Sequence, residues 1–142
     1  MLHMRFTWYK ILVIGTVLSL AIPVQGQNKK EIREKGISTI TVEEYFIEEG
    51  MNKPVIESIE KYNKEGELVE IQLFNSRGEV KTWEKYVYDD KGFLVEEIFL
   101  DEKGNIVRTE KSIYENGLKV EKDFYNERDK LYKKKVYKYD YR

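Results

Sequence analysis

Tyr62-Asn63-Lys64-Glu65-Gly66-Glu67-Leu68 is followed by Phe74-Asn75-Ser76-Arg77-Gly78-Glu79-Val80, and the likeness of the two stretches decides how the chain is read. The same order is an aromatic or Leu, then Asn or Asp, two polar residues, Gly, one residue and an aliphatic. It returns as Tyr88-Asp89-Asp90-Lys91-Gly92-Phe93-Leu94 and Leu100-Asp101-Glu102-Lys103-Gly104-Asn105-Ile106. Two worn copies follow, Tyr114-Glu115-Asn116-Gly117-Leu118 and Tyr125-Asn126-Glu127-Arg128-Asp129-Lys130-Leu131. Repetition on this scale means one supersecondary unit used several times.

The unit reads as a hairpin. Asn or Asp opens a type I turn by bonding the backbone ahead of it, and Gly takes the left-handed position that ends the turn. Such a loop joins antiparallel strands through a bulge. Between turns, β-branched and aromatic residues alternate with polar ones, as in half-buried strands. Gly66, Gly78, Gly92 and Gly104 are spaced by 12, 14 and 12 residues, all even, which gives a double unit of 26. Tyr114 to Tyr139 is 25 residues, and the lost one falls at Asn116-Gly117, the dipeptide favoured in two-residue hairpin turns. Asp129 stands where the last Gly would be, and Asp is among the residues that tolerate positive φ. The expected fold is all-β: an antiparallel meander of about seven or eight strands over residues 38–142, a strongly twisted single sheet with room to curl.

Turn geometry also suggests a register. If the residues flanking each turn pair, Phe74 faces Val80, Ile71 faces Trp83, Trp83 faces Phe99, Phe99 faces Val107 and Ile59 faces Ile71. That produces an apolar row of Ile59, Ile71, Trp83, Phe99 and Val107, with Phe93, Ile113, Val120 and Val136 on the same face. Glu70, Gln72, Thr82, Glu84, Glu96, Arg108, Glu110 and Asp123 fall on the opposite, wet face, with Lys133 and Lys135 across from Asp123 and Glu121. A slip of one residue would scatter both rows. Within the row, Trp83, Phe99, Ile71 and Val107 form the candidate binding strip. As core it needs a cover: curling, the amino-terminal segment, or a second copy in a homodimer. Left open, it suits a sugar or a protein partner, because aromatic rings recognise flat apolar faces.

The amino-terminal end reads differently. Arg5 and Lys10 precede the uncharged apolar run Ile11 to Ile22, and Val24-Gln25-Gly26 places small residues where a signal peptidase reads. Residues 1–26 are therefore expected to be a secretory signal peptide, with an apolar run too short for a stable membrane span. Export to the periplasm or exterior follows. The chain has no cysteine, which removes both disulfides and the attachment site of a lipoprotein. Residues 27–37 fit a short polar helix or a flexible leader, and the charge density favours the leader. Thr39 to Ile47 reads as a strand, although Thr41-Val42-Glu43-Glu44 also fits a helix capping box.

Composition narrows the function. Loss of Arg5 and Lys10 takes the formal charge from −1 to −3, which is no nucleic-acid footprint. The single histidine, His3, lies in the signal segment, so the remainder has neither His nor Cys for zinc ligation or Ser-His and Cys-His nucleophiles. Carboxylates remain, and a pair such as Glu84 with Glu96 could do glycosidase-type acid–base work, but both are expected on the solvated face with no cleft implied around them. No cofactor or metal site is expected: Asp89-Asp90 and Asp101-Glu102 are explained as turn residues without calcium.

The Tyr-Asn/Asp-x-x-Gly-x-Leu/Val units resemble the YD repeats of secreted bacterial Rhs-type proteins. Tyr114-Glu115-Asn116-Gly117-Leu118-Lys119 is similar to the shorter MORN-type variant of antitoxin-like proteins. The resemblance covers about residues 59–142 and implies a secreted or envelope β-hairpin repeat protein with an interaction role. Large members wrap such strands around a cargo, for which this chain is too short. The expectation is a non-catalytic interaction module presenting its surface to a protein or glycan. An immunity or antitoxin-like protein that neutralises a toxin stoichiometrically is the alternative, and a glycan-acting enzyme the third reading.

Overall fold

A computed structural model describes residues 28–47 and 53–142. The signal peptide expected at 1–26 lies outside them. The elements are α1 (Lys29–Lys35), β1 (Thr39–Glu44), β2 (Val55–Tyr62), β3 (Leu68–Phe74), β4 (Val80–Tyr88), β5 (Leu94–Leu100), β6 (Ile106–Glu115), β7 (Leu118–Asn126) and β8 (Leu131–Val136). The eight strands form one antiparallel sheet in sequence order, a meander that stays open, with β1 and β8 at its two edges.

The repeated turns share one hydrogen-bond pattern. The Asn63 side-chain oxygen accepts from the backbone N–H of Glu65 at 3.1 Å and of Glu67 at 2.8 Å, and the Gly66 N–H donates to the Asn63 carbonyl at 3.0 Å. Asn75, Asp89, Asp101 and Asn126 do the same in their own turns. Gly66, Gly78, Gly92 and Gly104 hold φ between 78° and 82°, and Asp129 takes that position at 54°. At Asn116-Gly117 both residues have positive φ, 51° and 81°, as a two-residue hairpin turn requires.

The register departs from the expected one. Phe74 does face Val80, but the next pair is Leu73 with Thr82, so Lys81 has no partner. Each hairpin repeats this: one residue of the outgoing strand is left over, at Val69, Lys81, Val95, Val107, Val120 and Tyr132. It is a bulge additional to the one that the turn glycine makes, and it shifts every later pair by one. Ile71 therefore faces Glu84, Trp83 faces Gln72 and Leu100, and Phe99 faces Glu84 and Arg108. Because side chains alternate with period two, the apolar row is split between the faces. The sequence does carry a trace of the bulges: Leu68-Val69, Leu94-Val95 and Ile106-Val107 are adjacent aliphatics that break the alternation.

The tyrosines spaced along the repeat close the ends of these ladders. The β3–β4 register begins at Glu70, which leaves the Leu68 carbonyl beyond its end. The Tyr88 hydroxyl donates to it at 3.0 Å. Tyr114 donates to the Leu94 carbonyl at 3.2 Å and Tyr139 to the Lys119 carbonyl at 2.7 Å, each reaching back 20 residues. A polar backbone group near a bulge is costly without a partner, so the aromatic position of the repeat is a hydrogen-bond donor as much as a ring.

Residues 29–35 fold as a helix, where the leader was the favoured expectation. The Asn28 side chain accepts from the Glu31 N–H at 3.0 Å, and Gly36, at φ 64°, closes the other end with bonds back to the Arg33 and Ile32 carbonyls. Seven residues do not hold a helix alone in water. Tertiary contact decides it: Ile32 is 1% exposed, and Lys29 bonds Glu67 at 2.6 Å in the β2–β3 turn. β1 ends at Glu44, short of the expected Ile47.

The turn under α1 offers a matched pair of substitutions. Gly66 and Gly78 share nearly the same φ, 80° and 78°. A Cβ on Gly66 would collide with the Lys29 carbonyl, whereas at Gly78 nothing lies within 4 Å. Both alanine variants carry the left-handed backbone cost of about 1–2 kcal/mol. Gly66→Ala is expected to lose measurably more stability in urea titration. Equal losses would show that α1 does not rest on this turn.

Candidate functional site

The bulges sort the side chains onto two mixed faces. One, the Trp83 face, carries Ile59, Gln72, Trp83 and Leu100 in one row and Lys61, Glu70, Lys85, Ile98, Thr109 and Tyr125 in the next. The other, the Phe124 face, carries Glu60, Ile71, Glu84, Phe99 and Arg108, then Tyr86, Glu97, Glu110, Phe124 and Lys133. Neither is an apolar face. Of the strip picked out from the sequence, Trp83 lies on one face, Ile71 and Phe99 on the other, and Val107 is an unpaired bulge residue, 50% exposed.

Trp83 is half-buried and held in place by its neighbours. Its indole N–H donates to Glu70 Oε1 at 3.1 Å, the Lys85 ammonium lies 5.7 Å from the ring centre, and the ring edge rests on Gly104. On the other face the Arg108 guanidinium stacks 3.8 Å from the Phe99 ring centre. Each aromatic thus carries a cation, an arrangement worth about 0.5–1 kcal/mol at exposed sites.

The densest charge cluster sits on the Phe124 face. Glu97 and Glu110 face each other across β5 and β6, an unfavourable pair by itself. Lys122, from β7, bridges them at 2.6 and 2.5 Å, and its side chain is only 15% exposed. Burial alone would lower the Lys122 pKa, but its bonds to Glu110 and Glu97 outweigh burial and raise it. The cluster was not found from the sequence because Glu97 meets Glu110 only once the bulges are counted. The carboxylates singled out instead, Glu84 and Glu96, lie on opposite faces and cannot act together. Likewise it is Lys134, not its neighbours, that answers Glu121 at 2.6 Å and Asp123 at 3.6 Å. Lys133 and Lys135 lie over the Phe124 ring at 4.5 and 5.4 Å.

A hollow of about 500 Å³ opens between the β2–β3 and β4–β5 turns, lined by Asn63, Glu67, Tyr86, Tyr88 and Asp89 among others. Its polar groups are largely engaged. Glu67 bonds Lys29 and Asn63, Asp89 accepts two backbone N–H groups, Tyr86 donates to Glu84, and Tyr88 donates to the Leu68 carbonyl. Burial, then the Glu84 hydrogen bond, pushes the Tyr86 phenol up; burial leads at Tyr88 too. Both stay neutral donors across the physiological range. The Lys29 ammonium, then the Asn63 amide, holds Glu67 below the ordinary carboxylate range against the opposing effect of burial.

Among the described residues no group of three or more His, Cys, Asp or Glu is placed to hold a metal ion, and no helix is long and apolar enough to cross a membrane. No family model and no curated protein matches the chain.

Two expectations follow from the charges. Lys122→Met leaves Glu97 without its counter-charge and Glu110 with Arg108 alone, at 2.9 Å, and is expected to cost about 1–3 kcal/mol in urea titration. Adding Glu97→Gln, which removes the orphaned charge and keeps the Arg108–Glu110 pair, should recover much of that loss; no recovery would mean the lysine acts by packing alone. Glu67 has a depressed folded pKa, so its stabilisation is present above the unfolded value of about 4.3 and is lost as pH falls through the lower folded value. Amide resonances of α1 should therefore shift in that acid window, and the shift should vanish in Glu67→Gln.

Proposed function

We propose that this chain is an exported, non-catalytic interaction module of the bacterial envelope or exterior, one that offers a β-hairpin repeat surface to a protein or glycan. One observation carries the reading. Eight strands form a single open layer, and among the described residues Ile32 and Phe124 are the only hydrophobic side chains that are buried. A chain that invests its repeats in two mixed, half-exposed faces rather than a dry core is organised for display. The likeness of the hairpin units to secreted YD-type repeats points the same way, and so does the signal-like segment at residues 1–26. The ion-paired state of Glu97 and Glu110 supports a binding role over acid–base work, since Lys122 occupies both carboxylates at 2.6 and 2.5 Å.

The two faces offer different chemistry to a partner. Trp83 with Lys85 and Gln72 suits a polar ligand with an apolar ring face; Arg108, stacked on Phe99 and paired with Glu110 at 2.9 Å, suits an anionic ligand that takes the place of that carboxylate. Calorimetric titration with soluble envelope polysaccharide and with solubilised envelope proteins, followed by mass analysis of the ligand, tests the reading. The expected result is saturable, stoichiometric binding with the ligand recovered intact, weakened by Trp83→Ala or by Arg108→Ala according to the face used. Products released with turnover, or no saturable binding to either fraction, would contradict it.

A further inference from the structure

An open sheet has two edges, and in this chain they carry opposite charge. β1 reads Thr39-Ile40-Thr41-Val42-Glu43-Glu44: four β-branched residues in a row, then two carboxylates, with no lysine or proline to blunt the edge. β8 reads Leu131-Tyr132-Lys133-Lys134-Lys135-Val136, and every residue in it is exposed. Among the described residues no strand pairs with the outer side of either. α1 does not shield β1, because it turns inward over Gly66 and Glu67 towards Gly92. The tail after β8 stays with β7, through the Tyr137 N–H on the Val120 carbonyl and the Tyr139 hydroxyl on the Lys119 carbonyl.

We propose that these edges are a matched pair, and that β8 of one copy receives β1 of a second copy, head to tail, so that the sheet continues across the junction. Three observations carry this. The strand number is even and every neighbour is antiparallel, so β1 and β8 run in opposite directions. A second copy in the same orientation therefore presents its β1 antiparallel to β8, the pairing used throughout the sheet. Next, the charges choose the partner: lysines disfavour β8 against β8, β1 against β1 places each Glu43 and Glu44 opposite uncharged Ile40 and Thr39, and only the mixed pair joins opposite signs. A register that sets Lys133 against Glu44 and Lys134 against Glu43 uses both carboxylates. Finally, the same cross-strand chemistry ties strands inside the sheet, at Lys61–Glu70, Lys111–Glu96 and Lys134–Glu121. A lysine-rich edge usually serves to repel other strands. Here it repels all but an acidic one, which the same molecule supplies. Such a junction is heterologous and leaves a free edge at each end, so association proceeds beyond a dimer. The proposal rests on the edges alone and is independent of any protein or glycan bound on the faces.

Sedimentation of the purified protein over a range of concentrations tests it. Species heavier than the 17.0 kDa chain should grow with concentration at low salt and recede at high salt, as screened charge pairs do. K133E/K134E/K135E alone and E43K/E44K alone should each stay monomeric, and an equal mixture of the two should associate again. Circular dichroism reports whether the variants keep their sheet. Should they not, hydrogen exchange on the unaltered protein decides instead, because the amides of β1 and β8 should gain protection as concentration rises. A monomer at every concentration and salt, association untouched by either variant, a mixture that stays monomeric although both variants are folded, or edge amides indifferent to concentration would each overturn the proposal.

Discussion

In every hairpin of the repeat, the strand that leaves the turn carries one residue for which the incoming strand has no partner. Val69, Lys81, Val95, Val107, Val120 and Tyr132 occupy this place. The turn glycines set where each hairpin reverses; the unpaired residues set which side chains share a face. A bulge also bends its strand and increases local twist, and a sheet with one in each hairpin accumulates both effects. The tyrosine bonds depend on the same device. Tyr88, Tyr114 and Tyr139 reach back to carbonyls that the neighbouring ladder does not extend to, and so fasten adjacent strands at the end where Val69, Val95 and Val120 bulge.

The mixed faces follow from that register. With large apolar side chains divided between the two sides, neither becomes dry, and stability is spread over many modest interactions. Lys122 between Glu97 and Glu110, Arg108 on Phe99, and Trp83 on Glu70 and Gly104 are all cross-strand ties on half-buried surface. Individually such pairs contribute about 0.2–1 kcal/mol. α1 adds Ile32, the one deeply buried aliphatic among the described residues, at the end of the sheet where the β2–β3 turn receives it. A sheet assembled this way keeps its surfaces accessible, which is the physical basis for reading it as an interaction module.

What could be read from the sequence was what local chemistry dictates. Asn or Asp followed three residues later by Gly means a turn wherever it occurs, and Asn116-Gly117 means a tighter one, because φ/ψ preferences belong to the residues themselves. Strand number and meander order came with the turns. Register did not, because it depends on one unpaired residue per hairpin whose only trace is an adjacent pair of aliphatics such as Ile106-Val107. The strip of Trp83, Phe99, Ile71 and Val107 dissolved for that reason, and the Glu97–Lys122–Glu110 cluster came into view for the same one. The helix was hidden differently. Residues 29–35 are six polar residues around Ile32, and only the turn they dock against makes burial of that one side chain enough to hold them.

The proposed function rests on surfaces whose composition the bulges decide, and the bulged register is the claim on which the rest stands. Cross-strand nuclear Overhauser contacts between backbone protons test it directly. The expected contacts place Ile71 opposite Glu84 and Trp83 opposite Leu100. Contacts of Trp83 with Ile71 and with Phe99 as direct partners would mean hairpins without the extra residue, restore a single apolar row, and contradict the account given of both faces.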